Sequence, residues 1–159
     1  MLDYWISDPE IQFLYMEPIY TNHEEVKELL EKYISSYDDM DYYRWAIIEK
    51  TSNICIGQIA YFLMDVKNHF GEIEFCISRK FQKKGYGAEA TKAIMDYGFN
   101  KIHLHKVQVC HAENNLASKA LIKKFNFKHD GTLRDYFYIN EEYIDRLYYS
   151  MLENEYYNK

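Results

Sequence analysis

The sequence predicts an α/β protein of the α+β kind, with a mixed, mostly antiparallel sheet, and three observations predict it. Three β-rich runs, 43–50, 54–66 and 70–78, follow one another across short polar turns, as strands of an antiparallel meander do. The third run feeds a glycine-containing loop, a helix-like stretch over 88–101 and another β-rich run at 106–111, an order that implies a right-handed parallel crossover. Two further runs, 128–139 and 143–152, flank Asn140-Glu141-Glu142 and read as a hairpin.

The elements follow in order. Residues 1–6 read as the tail of an amphipathic helix ending near Ser7-Asp8-Pro9, and 10–20 as an apolar, irregular segment broken by Pro18. Thr21 and Asn22 offer N-caps, with Glu24 three residues after Thr21 as in a capping box. Val26, Leu29, Leu30, Tyr33 and Tyr37 then recur at helical spacing, predicting a helix over 22–36. Residues 37–42, with three aspartates, form a loop. Gly57 inside the second β-rich run marks a bulge. In the helix after the glycine loop, Ala90, Ala93, Ile94 and Tyr97 define the packed face, backed by Met95. Asn114 or Asn115 caps a further helix, with Ala117, Ala120, Leu121 and Lys124 on one side. The last residues are polar and read as frayed.

Composition bounds the function. At 159 residues, 48% hydrophobic and 18% aromatic, the chain has the makings of a core and reads as one domain. A net charge of −6 disfavours a nucleic-acid partner and suits cationic ones. Cys55, Cys76 and Cys110 are odd in number and far apart, without metal-ligand or disulfide spacing, and read as reduced buried thiols. No apolar stretch reaches the roughly 20 residues that span a bilayer, and no signal peptide opens the chain, so the expected setting is cytoplasmic, without membrane attachment.

The chemistry centres on Gln82-Lys83-Lys84-Gly85-Tyr86-Gly87-Ala88, between a strand and a helix. The first N–H groups of a helix lack partners within it, and the helix dipole adds positive charge there. Gly85 and Gly87 let main-chain donors approach an anion, with Lys83 and Lys84 at the rim; the arrangement suits a pyrophosphate. A Walker loop is excluded because no Lys-Ser/Thr follows at its spacing. A dinucleotide fingerprint is excluded because Ala90 stands where its third glycine belongs.

Gln-x-x-Gly-x-Gly after a strand resembles the CoA-binding loop of the GNAT N-acetyltransferase superfamily. Glu72-Ile73-Glu74-Phe75-Cys76-Ile77 resembles the strand that precedes that loop. Asn115-Leu116-Ala117-Ser118, followed by Lys124-Phe125-Asn126-Phe127, is similar to the Asn-x-x-Ser … Lys-x-Gly-Phe signature of the RimJ/RimL-type branch, which includes spermidine acetyltransferases. The resemblance spans nearly the whole chain. It implies the GNAT fold without its first strand, acetyl-CoA as cosubstrate, no metal, and direct acetyl transfer to a primary amine of a protein N-terminus, polyamine or other small molecule. Loss of the first strand would leave 43–50 as a sheet edge, for which a homodimer is the expected cover.

Transfer from a thioester to an amine needs a base, an oxyanion donor and an acid for the thiolate. Glu72 resembles the catalytic glutamate of histone-acetylating members and is the candidate base; the alternative is that Glu72 and Glu74 are exposed strand residues attracting a cation. By the same resemblance Cys76, Ile77 and Ser78 present main-chain groups to the pantetheine arm, including the oxyanion donor. Cys76 as a nucleophile is the sharper alternative. Asn115 is both an N-cap and a CoA-arm ligand. Ser118 resembles the proton donor of the RimL-type enzymes and also binds cofactor, or is a helix-surface serine. Two departures stand out: Asn126 replaces the signature glycine, and Ile122 replaces the tyrosine acid of the spermidine enzymes. His69, His103, His105 and His111 read as surface residues, and Tyr15, Tyr20, Tyr136, Phe137 and Tyr138 as core packing or an acceptor groove. A non-catalytic acyl-CoA sensor is the competing reading of the whole chain; a nucleotide-binding protein ranks below both.

Overall fold

A computed structural model of the protein describes residues 1–15, 17–39 and 41–158. Met16, Met40 and Lys159, which fall in the expected irregular segment, aspartate loop and tail, lie outside the described residues. Six strands form one sheet in the order β1-β2-β3-β4-β6-β5: β1 Tyr43–Glu49, β2 Ile54–Asp65, β3 Phe70–Ile77, β4 Lys106–Ala112, β5 Lys128–Ile139 and β6 Glu142–Leu152. β1 runs antiparallel to β2, and β6 antiparallel to both β4 and β5. The crossover delivers a parallel ladder, Phe70–Ile73 of β3 against Lys106–Val109 of β4. The helices are α1 Pro9–Tyr15, α2 His23–Ser35, α3 Tyr86–Tyr97, α4 Leu116–Phe125 and α5 Glu153–Tyr157. Among the described residues no helix is long and apolar enough to cross a membrane.

The chain forms two compact units, Met1–Phe62 with Glu74–Ile94, and Leu63–Ile73 with Met95–Lys159. In the first, Trp5, Ile6, Ile11, Val26 and Cys76 make a buried cluster over which Tyr4, Tyr15, Tyr20 and Leu29 pack. α1 stands where an irregular segment was expected. Pro9 opens it, because its fixed φ and missing N–H suit a first helical position, and Asp8 Oδ1 accepts from the Glu10 N–H at 3.0 Å. The cap of α2 is shifted by one residue from the expected box: Asn22 Oδ1 accepts from the Glu25 N–H (3.0 Å), and the Glu25 carboxylate accepts from the Thr21 N–H (2.9 Å).

Gly57 sits beside a register shift in β2, as expected, but its stronger constraint is space. A Cβ there would lie 2.1 Å from the Cys76 carbonyl oxygen. The packed face of α3 is rotated from the expected one: Thr91, Ile94 and Met95 are buried, whereas Ala93 and Tyr97 are exposed.

In the second unit Phe99, Leu104, Val107 and Met151 are fully buried. α4 also packs a different side, through Ile122, with Ala117 and Ala120 outward. It ends as the Asn126 substitution requires. Asn126 takes the left-handed conformation (φ 59°), and the Phe127 N–H reaches back to the Ile122 carbonyl at 3.2 Å. The β5–β6 hairpin turns on Asn140 and Glu141, both at positive φ. The tail is ordered as α5, where Tyr156 stacks on Phe99 with centroids 4.7 Å apart.

Candidate functional site

The glycine loop belongs to the first unit. β3 ends at Ile77, a single turn of 3-10 helix spans Arg79–Phe81, and α3 begins at Tyr86, two residues earlier than its sequence pattern suggests. Gln82 Nε2 donates to the Ile77 carbonyl at 2.9 Å, so this side chain braces the loop against its own strand. Positive φ is needed at Lys83 (60°) and Gly85 (92°), and not at Gly87. Gly87 lies in the first turn of α3, where a Cβ would meet the Phe75 ring at 3.4 Å and Ile77 Cδ1 at 3.6 Å. Its role is close packing of helix on strand. Around Gly85 a Cβ would meet nothing within 4 Å.

The Glu89 N–H closes the first helical bond, to the Gly85 carbonyl at 3.0 Å. The N–H groups of Tyr86, Gly87 and Ala88 therefore precede any acceptor one turn back, and they form the donor set that an anion would use. Lys84 Nζ lies 5.0 Å from the Phe81 ring centroid. Arg79 is not part of the set, since it pairs with Asp8 and Glu10, each at 2.6 Å. The Tyr86 hydroxyl donates to Glu49, whose carboxyl is held below its ordinary value by hydrogen bonds from Ser52 and Tyr86. That bond pins the first residue of α3 to the end of β1.

The end of β3 divides its main-chain groups by strand alternation. The Cys76 carbonyl faces Gly57, and the Ser78 N–H donates to the Ile56 carbonyl at 2.8 Å, so both look toward β2. Ile77 presents its groups on the opposite edge, and its carbonyl is taken by Gln82. The Cys76 thiol is buried and pushed up to about 12 by desolvation, with the Glu74 charge adding to it. It is protonated at neutral pH and unsuited to attack. Glu74 pairs with Arg44 at 2.6 Å, and Arg44 also donates to Tyr15 (3.4 Å) and Tyr42 (3.0 Å) while its guanidinium covers the Tyr33 ring at 4.5 Å. Glu74 is thus a half-buried member of an Arg–Tyr cluster, not an exposed strand residue.

In the second unit Glu72 is 2% exposed, which removes the exposed-strand reading for it too. Gln108 Nε2 donates to Oε2 at 2.6 Å and Arg146 Nη2 to Oε1 at 3.2 Å. Arg146 Nη2 also lies 2.8 Å from Cys110 Sγ, and Nη1 donates to the Tyr136 hydroxyl at 3.0 Å. Burial first, then the hydrogen bond to Glu72 and its charge, push the Cys110 thiol up to about 12, against the pull of Arg146.

Sequence reasoning did not name Gln108 or Arg146. The available signal was Arg146 itself, a cation in a strand-like run rich in aromatic and aliphatic residues, Tyr143-Ile144-Asp145-Arg146-Leu147-Tyr148.

Asn115 caps α4: its Oδ1 accepts from the Ser118 N–H at 3.1 Å. Among the described residues its Nδ2 and the Ser118 hydroxyl carry no hydrogen bond. Ile122, at the tyrosine position of the spermidine enzymes, is buried. His111 is also buried, contrary to the surface reading, with its ring stacked on Tyr149 at 5.5 Å. The aromatic set divides: Tyr15 and Tyr20 belong to the first unit, and Tyr136, Phe137 and Tyr138 to the second. Among the described residues no group of three or more His, Cys, Asp or Glu is placed to hold a metal ion.

Residues 1–128 match the family described as an acetyltransferase (GNAT) domain. The uncharacterized N-acetyltransferase p20 of Bacillus licheniformis is 27% identical over 157 residues, covering 98% of this chain and 87% of the relative. The spermidine N(1)-acetyltransferase of Vibrio cholerae is 24% identical over 159 residues, covering 100% of this chain and 84% of the relative. A crystal structure of the spermidine N-acetyltransferase from Vibrio cholerae in complex with CoA and spermine superposes with a TM-score of 0.83 at 24% identity, covering 96% of this chain and 88% of that one.

Proposed function

The chain belongs to the acetyltransferase (GNAT) family and is an N-acetyltransferase, and from that premise we propose that it moves an acetyl group from acetyl-CoA directly to a primary amine within a ternary complex. The observation that carries the proposal is the start of α3. Positive φ at Lys83 and Gly85 turns the loop, and the N–H groups of Tyr86, Gly87 and Ala88 then face outward with open space at Gly85. The CoA pyrophosphate is the anion this donor set fits. The Asn115 amide group and the Ser118 hydroxyl are the polar groups proposed for the CoA arm, as the RimJ/RimL-type signature suggests. The Ile77 N–H is the proposed oxyanion donor, because the Cys76 carbonyl and the Ser78 N–H point toward β2.

Glu72 is the proposed base. An alkylammonium has a pKa of about 10, so the acceptor must lose a proton before attack. Ser118 is the proposed acid for the departing thiolate, since Ile122 cannot supply a proton. The acceptor is an amine of the kinds these relatives use, spermidine among them. A −6 chain favours such cations. Ile122 supports a second reading, an acyl-CoA sensor without turnover. Incubating the protein with acetyl-CoA and an amine panel while following thiol release separates them. Release with one amine class supports the enzyme, and CoA binding without release on any amine supports the sensor.

A further inference from the structure

We propose that Arg146 is a positioning residue for the transfer reaction, one that fixes the Glu72 carboxylate in the orientation from which it accepts the amine proton. The inference rests on the reading of Glu72 as base.

Glu72 has no solvent to orient it. Its two oxygens are instead assigned one donor each, Gln108 on Oε2 and Arg146 on Oε1. A carboxylate offers about four acceptor positions, and because the Cys110 thiol is also hydrogen-bonded to Glu72, one remains for a substrate proton. Which way that position points depends on where Arg146 stands.

Arg146 is itself held from several directions. Its guanidinium carbon lies 4.8 Å from the Tyr148 ring centroid and 4.9 Å from that of Tyr136. Nη1 donates to the Tyr136 hydroxyl, and Nη2 is shared between Glu72 and Cys110. Tyr136 reaches this position through an irregularity in β5. Between Leu133 and Phe137 the register against β6 shifts, Asp135 takes a φ of 53°, and its N–H donates to Asp145 Oδ1 at 2.9 Å. The bulge re-aims a side chain, which is a recurrent use of such features near active sites.

The Arg146 Nε is buried and lacks a partner among the described residues. A purely structural ion pair would be expected to satisfy that donor, since an unmet buried N–H costs about 1–3 kcal/mol. The side chain gives up one donor while keeping Nη2 on Glu72 and Nη1 on the Tyr136 hydroxyl. A planar guanidinium fixes direction in a way that an ammonium does not.

The test is a double-substitution cycle on kcat, with acetyl-CoA affinity and Tm measured for each protein. Glu72→Gln, Arg146→Met and the pair are compared using the amine found to support turnover. If Arg146 acts through Glu72, Arg146→Met lowers kcat at least tenfold with acetyl-CoA affinity unchanged. In the Glu72→Gln background it then costs less than twofold further. Arg146→Lys, which keeps the charge without the fork, recovers only part of the loss. Equal losses from Arg146→Met in both backgrounds would overturn the positioning role, as would full activity in Arg146→Met. Full activity in Glu72→Gln would instead remove the base assignment on which it rests. If Arg146→Met does not fold, Arg146→Lys takes its place in the cycle, with the same criterion of non-additivity.

Discussion

Gly57 shows how one backbone contact fixes a residue type. A Cβ at this position would stand 2.1 Å from the Cys76 carbonyl oxygen, a backbone atom that cannot rotate away as a side-chain tip can. Gly57→Ala is expected to destabilise the fold by about 3 kcal/mol or more, at the upper end of overpacking effects, read as a fall in the urea midpoint. Glu141 illustrates the opposite case. With φ at 66° beside Asn140 at 49°, it occupies a turn position that glycine adopts without strain. Glu141→Gly is expected to stabilise the protein by about 1 kcal/mol, seen as a rise in Tm, because the side chain is exposed and little contact is lost.

At the scale of elements, the glycine loop and α3 act together. Gly85→Ala places a side chain at φ 92° in open space, so the cost is local strain rather than a clash. The expected outcome is a tenfold or greater loss of acetyl-CoA affinity by calorimetry, with Tm lowered by a few degrees as about 1 kcal/mol of strain entails.

Much of this architecture was legible in the sequence, and the reasons are specific. The meander, the crossover and the hairpin announced themselves through short polar turns and β-rich runs, and Asn126 was readable as a left-handed cap. The packed faces of α3 and α4 were misjudged because Thr91 is buried and alanines carry little facial information. α1 was hidden because Pro9, usually a breaker, here opens a helix. The positive φ of Lys83 was invisible, since a glycine two residues on offered the obvious place for it. Glu72 could be nominated as the candidate base through the resemblance of its strand to that of the family. Its partners could not, because Gln108 and Arg146 stand 36 and 74 residues away in sequence.

At the scale of the whole molecule, acid sensitivity follows from several carboxylates held below their ordinary values. Hydrogen bonds from Ser52 and Tyr86 do this for Glu49, a backbone bond from Thr21 for Glu25, and Asn68 for Asp65. Burial pushes the Asp130 carboxyl up, but hydrogen bonds from Lys106 and Ser150 with the Lys106 charge together outweigh it and hold it below its ordinary value. A depressed carboxyl contributes stability that is present above its unfolded pKa and is lost as pH falls through the folded value. Tm is therefore expected to hold near neutrality and to fall below about pH 4.5. Glu17, raised by burial and then by Glu74, runs the other way and blunts the slope.

β1 is one edge of the sheet, with Ala46 and Ile48 exposed along it. We propose a homodimer that covers this edge; light scattering should return twice the 19.3 kDa chain mass, and a monomer at micromolar concentration would refute it. We also propose that the two compact units unfold as a single domain, because the chain passes between them more than once. One cooperative transition with coincident probes is the expected observation.

Acetyl transfer itself is the most direct test. With acetyl-CoA and a panel of primary amines that includes spermidine, the measurement is thiol release in wild-type protein beside Gly85→Ala and Glu72→Gln. The account predicts release with at least one amine class, weakened in the first variant through acetyl-CoA affinity and in the second by 100-fold or more in kcat, as loss of a general base entails. Saturable acetyl-CoA binding with no release on any amine, or release unaffected by Glu72→Gln, would contradict it.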